Sequence, residues 1–146
     1  MNIKYKVKSL INQYKTNNPF DIIEYLGINL IRFPLSGNIN GYYIEKYGEQ
    51  NICINDNLSS EEKIMVAAHE LGHAILHKDQ NILFISKNTF YSKSKFEKQA
   101  NLFAAELLLD DSIFSTYYGY SLEYISKCEC VSSKLVKYKF ENLHNN

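Results

Sequence analysis

The apolar positions near the start of the chain recur every three or four residues, a spacing that places them on one face of a helix. Residues 3–16 are therefore predicted to form an amphipathic helix that packs against a core. Asn18 and Pro19 then have the order of a helix cap followed by proline in the first turn. The short helix that begins there should stop at Gly27, because glycine commonly ends a helix.

The pattern then changes to short runs rich in β-branched and aromatic residues, which is typical of strands. Residues 28–33 are predicted to form one strand, and residues 42–47 and 50–55 a β-hairpin. This hairpin either lies inside a sheet or offers an edge strand to an extended peptide. A further apolar segment, residues 82–85, is either a strand or a loop packed on the core.

Helical spacing returns in the second half of the chain. Ser59 and Glu62 have the spacing of a capping box, so a helix should begin there and run to about His77. The remaining predicted helices are residues 96–109, a turn or two at 113–118, and a closing pair at 121–128 and 132–143. These elements predict an α+β fold, and we expect residues 1–146 to form a single domain.

Composition excludes some functional classes. Lys plus Arg and Asp plus Glu both number 16, so no overall charge favours nucleic acid or an anionic membrane. The N-terminus lacks an apolar run long enough for a signal peptide or a membrane span, which favours a cytoplasmic protein without a membrane partner. Three cysteines, Cys53, Cys128 and Cys130, cannot all pair internally and are expected to be reduced thiols.

The predicted helix that ends near His77 carries the motif His69-Glu70-Leu71-Gly72-His73. Positions four apart share a helix face, so His69 and His73 can reach one metal ion and Glu70 can act as a general base. The alternative is a chance pair of surface histidines. Apolar residues crowd this helix and weigh against that alternative. Gly72 costs about 1 kcal/mol relative to Ala, which indicates a packing or approach reason, here room near the metal.

A catalytic zinc site needs a third protein ligand. Glu97 is the best candidate, and Asn101, one turn later, could accept a hydrogen bond from the outer N–H of a ligand histidine. A competing interpretation uses Ser94 and Glu97 as a capping box, unless the helix begins a turn earlier near Ser92. Glu106 is the fallback ligand, although a solvated or salt-bridged role suits it better.

His77 continues the histidine stripe but is a poor third ligand. The long metzincin pattern requires histidine at position 79 and glycine at position 76, where this chain has Asp79 and Leu76. His77 therefore either interacts favourably with the C-terminus of its helix or lies near substrate. The group that stabilises the oxyanion is not identified by sequence, and its candidates are His77, Tyr91, Tyr117, Tyr118 and Tyr120.

With both motifs in view, the chain resembles the ImmA/IrrE family of metallopeptidases. The resemblance rests on residues 69–77 and on the run Glu97-x-x-Ala100-Asn101-x-Phe103-Ala104-Ala105. It covers about residues 18–143, and the pair of motifs is far more specific than the first alone. One departure is Asp110-Asp111, where the family often has proline, and it affects only a helix end.

The resemblance implies a zincin-like α+β peptidase in which His69, His73 and Glu97 hold one zinc ion and Glu70 is the catalytic base. It also implies a protein substrate, a helix-turn-helix repressor whose cleavage derepresses a mobile-element or stress operon. The closing helix pair, residues 121–143, loosely resembles a helix-turn-helix itself.

Two other functions remain open at this point. One is a DNA-binding regulator or antirepressor, but the closing helix pair has little net positive charge, so direct DNA binding is disfavoured. Its basic residues are Lys127, Lys134, Lys137 and Lys139. The other is a zinc-stabilised interaction module that never cleaves, which would need a fourth protein ligand to close the metal site.

Overall fold

The computed structural model of this protein describes residues 2–80, 83–87 and 94–145. Within these ranges the chain forms seven α-helices and four β-strands, which confirms the predicted α+β fold. In chain order they are α1 (Ile3–Tyr14), α2 (Pro19–Tyr25), β1 (Asn29–Phe33), β2 (Ile39–Lys46), β3 (Glu49–Asn55), α3 (Ser60–Leu76), β4 (Phe84–Lys87), α4 (Lys95–Leu108), α5 (Ile113–Thr116), α6 (Leu122–Glu129) and α7 (Ser133–His144).

The four strands form one mixed sheet in the order β1-β3-β2-β4. β2 and β3 make the predicted antiparallel hairpin, β1 runs parallel to β3, and β4 runs antiparallel to β2. Both hairpin strands therefore lie inside the sheet, so the suggestion that the hairpin offers an edge to a peptide is wrong. The local pattern could not show this, because the pairing partners come from distant segments.

Helix α3 is the centre of the molecule. It packs against β2 and β3 on one side and against α2 and α4 on the others. Every residue from Val66 to Ala74 is buried, and this stretch contains the whole His-Glu-x-x-His motif. The sheet contributes the buried side chains Tyr43, Ile52 and Ile54 to the same core. The motif is therefore surrounded by protein, not displayed on a surface helix.

Gly72 lies where α3 meets α4. A Cβ atom at this position would lie 3.1 Å from Ala100 Cα, 3.2 Å from Ala100 O and 3.2 Å from Phe103 Cβ. Two of these three contacts are with backbone atoms, which cannot move aside without shifting α4. Gly72 thus sets the separation of the two helices, so the glycine has a packing reason, and the room it provides lies against α4.

Gly72→Ala should destabilise the protein by about 1–3 kcal/mol through overpacking, although the same change in an exposed helix would stabilise it by about 1 kcal/mol. Urea unfolding followed by circular dichroism measures the difference. Adding Ala100→Gly should not rescue the variant, because the contacting atoms of Ala100 are its Cα and O. A Gly72→Ala protein more stable than wild type would contradict the close approach.

The closing pair, α6 and α7, packs back onto α4 through α7. Lys139 of α7 is fully buried and lies 2.7 Å from Glu106 Oε2 and 2.6 Å from Asp111 Oδ1. The sequence suggested that Lys139 was a surface base, and the structure corrects this because two carboxylates enclose its ammonium group. Glu106, the fallback metal ligand, also accepts a hydrogen bond from Asn142.

None of the helices in the described parts of the chain has the length and apolar character needed to span a bilayer. Cys53 is buried, Cys128 and Cys130 are exposed, and none of the three forms a disulfide.

Candidate metal centre

Three candidate ligands converge where α3 faces the first turn of α4. The Nε2 atom of His69 lies 2.9 Å from Glu97 Oε2, and the Nε2 atom of His73 lies 2.8 Å from Glu97 Oε1. Donor atoms of His69, His73 and Glu97 all lie within 4.8 Å of one another, an arrangement that could hold a metal ion. The structure thus brings together the two-histidine motif and the glutamate proposed from sequence.

The first turn of α4 explains how Glu97 reaches the histidines. Ser94 caps the helix, and the backbone N–H of Glu97 donates to Ser94 Oγ at 3.2 Å. The carboxylate of Glu97 does not complete a capping box, because it faces His69 and His73. The two interpretations of Glu97 were therefore not exclusive, because α4 begins at Lys95 with Ser94 as its cap and the carboxylate still enters the site. Ser92, the earlier start considered from the sequence, lies outside the described residues.

Asn101 lies one turn after Glu97 and supports His69. Its Oδ1 atom accepts a hydrogen bond from His69 Nδ1 at 2.7 Å, and both side chains are fully buried. A neutral imidazole carries one N–H, so a proton on Nδ1 leaves a lone pair on Nε2. This is the tautomer that a metal ligand requires, as the sequence suggested for this pair.

Asn101→Leu should weaken zinc binding by about 10–100-fold, the usual cost of removing a group that orients a ligand histidine. Leucine has nearly the same shape but cannot accept the Nδ1 proton of His69. Competition against a chromogenic chelator measures the affinity, and circular dichroism confirms that the variant is folded. Unchanged affinity would show that Asn101 does not orient His69.

His73 has a different neighbour. Its Nδ1 atom lies 2.9 Å from His77 Nδ1, and His77 Nε2 lies 2.8 Å from Gln99 Oε1. His77 is the C-cap of α3 and is only 2% exposed, so its ring nitrogens are engaged inside the protein. This differs from the substrate contact considered from the sequence. Tyr91, the other candidate for such a contact, lies outside the described residues.

The charges in the site are strongly coupled. Burial raises the pKa of Glu97, but its contacts with His69 and His73 outweigh burial and lower that pKa to about 2. Burial lowers the pKa of His73 to about 4 against the opposing effect of Glu97. Burial also lowers the pKa of His69, but its contact with Glu97 and the charges of Glu70 and Glu97 make the net shift upward. The site therefore combines an ionised carboxylate with a neutral His73.

These residues fit a metal cation. The Nε2 atom of His73 is buried and has no aligned hydrogen-bond partner among the described residues, although a Glu97 oxygen lies 2.8 Å away. A lone pair that faces a carboxylate at this distance is repulsive unless a positive charge lies between the two atoms. Two imidazole nitrogens and one carboxylate are the donor set of catalytic His₂Glu zinc sites.

Glu70 is fully buried and lies outside this donor cluster. Strand β2 passes directly over it, because a Cβ atom at Gly41 would lie 3.6 Å from Glu70 Oε1 and only 2.6 Å from Cys53 O. The distance to Glu70 is an ordinary contact, whereas the approach to Cys53 O and a 2.9 Å approach to Val66 Cγ1 would clash, so Gly41 lets β2 lie close to β3 and α3 beside Glu70. Sequence reasoning missed this role, since Gly41 was assigned to a turn and a single glycine carries no signal of what lies opposite it.

The fallback ligand Glu106 is not brought to this site. Its carboxylate pairs with Lys139 and accepts from Asn142 at the other end of α4. It does not belong to the metal-binding group found among the described residues.

Comparison with known proteins agrees with this geometry. The family model of the Peptidase M78, IrrE N-terminal-like domain matches residues 23–141. The chain is 45% identical over 117 residues to uncharacterized immunity region protein 2 of Bacillus phage phi105, which covers 79% of this chain and 73% of that protein. It is 35% identical over 147 residues to metallopeptidase ImmA of Bacillus subtilis strain 168, which covers 97% of this chain and 85% of that protein. The motifs, the fold and these relatives together show that the chain belongs to the ImmA/IrrE family of metallopeptidases, peptidase family M78.

Proposed function

We propose that this protein is a zinc-dependent endopeptidase in which His69, His73 and Glu97 hold one zinc ion and Glu70 is the general base. The observation that carries the proposal is the convergence of three donors beside a buried glutamate that is not one of them. A three-ligand set leaves a coordination position open, which distinguishes catalytic from structural zinc sites.

The chain's own residues supply the proton transfers. Zinc, when bound, would lower the pKa of a water molecule and polarise the scissile carbonyl. Glu70 accepts the proton of the attacking water on a carboxylate oxygen and delivers it to the departing amine. The new C–O bond forms first, and the C–N bond then breaks as the amine receives the proton from Glu70, so one water molecule is consumed and two chain ends are released. Burial of Glu70 keeps its carboxylate in one place for both transfers.

The free edge of β4 is the surface proposed for an extended substrate. β4 is an edge of the sheet and pairs with β2 on its inner side only, within the described residues. Its first residue, Phe84, stacks on the His73 ring with centroids 4.1 Å apart. A peptide added to this edge would form main-chain hydrogen bonds close to the metal ligands. β4 thus takes the role first considered for the hairpin.

The substrate proposed from the family resemblance is a helix-turn-helix repressor in the cytoplasm, whose cleavage derepresses a mobile-element or stress operon. The relative in phage phi105 bears the name of an immunity region protein, which supports a regulatory substrate. The relative in Bacillus subtilis is named a metallopeptidase, which supports cleavage as the means.

Metal removal tests this proposal with a purified repressor encoded beside the gene. The protein should cleave that repressor, lose the activity after dialysis against a chelator, and regain it when one equivalent of zinc is added. Mass spectrometry of the fragments identifies the bond that is cut. Cleavage that persists after zinc has been removed to below detection would overturn the metallopeptidase proposal.

The two alternatives are less well supported. A closed structural zinc site would need a fourth protein ligand, and the metal-binding group in the described residues has three members. A DNA-binding role depends on exposed basic residues, and Lys139 is buried against carboxylates while Lys137 lies 3.9 Å from Glu141. These observations reduce the charge that α6 and α7 can offer to phosphates.

A further inference from the structure

A chain of three side chains leads away from the metal centre at His73. His73 Nδ1 lies 2.9 Å from His77 Nδ1, and His77 Nε2 lies 2.8 Å from Gln99 Oε1. His73 and His77 belong to α3 and its C-cap, whereas Gln99 belongs to α4. The sequence suggested that His77 continues the histidine stripe, but it gave no partner for its ring.

The carbonyl end of Gln99 fixes the direction of these hydrogen bonds. An amide oxygen can only accept, so His77 Nε2–H donates to Gln99 Oε1. His77 is 2% exposed and packed against Phe84 and Phe96, and a charged ring there would lose its hydration. A neutral His77 has no proton left for Nδ1, which therefore accepts from His73 Nδ1–H. His73 Nε2 is then left with a lone pair that faces Glu97 and His69.

We propose that His77 is a positioning residue for His73, with Gln99 as its anchor, so that the pair holds His73 in the tautomer that binds metal. Asn101 has the same role for His69. Asn101 contacts His69 through one hydrogen bond, whereas Gln99 acts on His73 through two successive hydrogen bonds, with His77 between them. The inference rests on the proposed metal site but not on peptidase activity.

The competing explanation is that His77 only fills space. Its ring centroid lies 4.8 Å from that of Phe96 and 5.6 Å from that of Phe84, so packing alone could account for a buried ring. Variants that remove either the ring or the hydrogen-bond acceptor of His77 distinguish the two explanations. His77→Phe keeps a ring but has no acceptor, whereas His77→Asn places a carbonyl oxygen near the Nδ1 position but has no ring.

Zinc affinity, measured by chelator competition, distinguishes these variants. A positioning role predicts that His77→Phe weakens binding by about 10–100-fold, as for other groups that orient ligand histidines, and that His77→Asn restores most of the loss. If His77 only packs, His77→Asn should weaken zinc binding more than His77→Phe does. Wild-type affinity in His77→Phe would overturn the positioning role alone, whereas a wild-type chain that binds no zinc would overturn the proposed function together with it.

The tautomers give a second readout that does not depend on affinity. In zinc-loaded protein with ¹⁵N-labelled histidine, long-range ¹H–¹⁵N spectra should show His77 protonated on Nε2 and His73 protonated on Nδ1. Gln99→Leu should convert part of His77 to the Nδ1–H form, whereas Asn101→Leu should leave His77 unchanged. A wild-type His77 that carries its proton on Nδ1 would overturn the inference, because that proton would face His73 Nδ1.

Discussion

Replacement of Glu70 by Gln should lower the rate of repressor cleavage by about 10²–10⁴-fold, the usual contribution of a general base, and leave zinc content unchanged. Gln has the size of Glu, so the fully buried position beside Gly41 stays filled. The amide cannot accept the proton of the attacking water, and it removes no metal ligand because Glu70 lies outside the donor cluster. Single-turnover cleavage and metal analysis of the same preparation measure both properties.

A control on the same helix is Glu61→Gln, which makes the same chemical change at an exposed position in the first turn of α3. It should cleave at the wild-type rate. If derepression in cells survives Glu70→Gln although cleavage in vitro is lost, the enzyme interpretation is wrong and a binding role replaces it. If cleavage itself survives at the wild-type rate, Glu70 is not the general base. If zinc is lost together with activity, Glu70 contributes to the metal site directly, and its assignment as base fails.

Lys139→Met should reduce the free energy of unfolding by about 3–5 kcal/mol, the cost of leaving a buried charge without its partner. Lys139 is fully buried, and its ammonium group holds Glu106 of α4 and Asp111, which follows that helix. Met keeps the volume of the side chain, so the change removes mainly the charge. Urea unfolding at pH 7 measures the effect, with exposed Lys137→Met on the same helix as control.

Two further measurements separate charge from packing at Lys139. Adding Glu106→Gln should recover part of the loss, because the double variant no longer buries an unpaired carboxylate there.

Burial raises the pKa of Asp111, but hydrogen bonds from Lys139 and Lys8 outweigh it, so the net shift is downward. A lowered pKa stabilises the fold above the unfolded value of about 3.9, and the stability is lost as the pH falls through the folded value. The difference in the free energy of unfolding between wild type and Lys139→Met should therefore become smaller below about pH 4.

The sequence predicted the parts of the site that depend on local spacing. His69 and His73 are one helical turn apart, so any helix in this segment brings them together. Glu97 and Asn101 share a face of α4 for the same reason, and Gly72 indicated a packing or approach constraint within α3. For these residues, the spacing and the residue types within each helix were enough to predict their place in the site.

The residues that the sequence did not place depend on contacts between distant segments. Lys139 looks like a surface base beside exposed residues, and only the packing of α7 on α4 shows that Glu106 and Asp111 enclose it. Gly41 opposes Glu70 because β2 crosses α3, which no local pattern encodes. His77 is close to Gln99 only because α4 lies beside the end of α3.

Helix α4 carries three groups that meet histidines of α3 and its C-cap, namely Glu97, Gln99 and Asn101. The same helix holds α7 through Glu106. The groups that face the proposed metal site and the anchor of α7 therefore lie on one helix. If α4 shifts against α3 when metal binds, thermodynamic linkage requires that metal binding and the docking of α7 affect each other to the same extent.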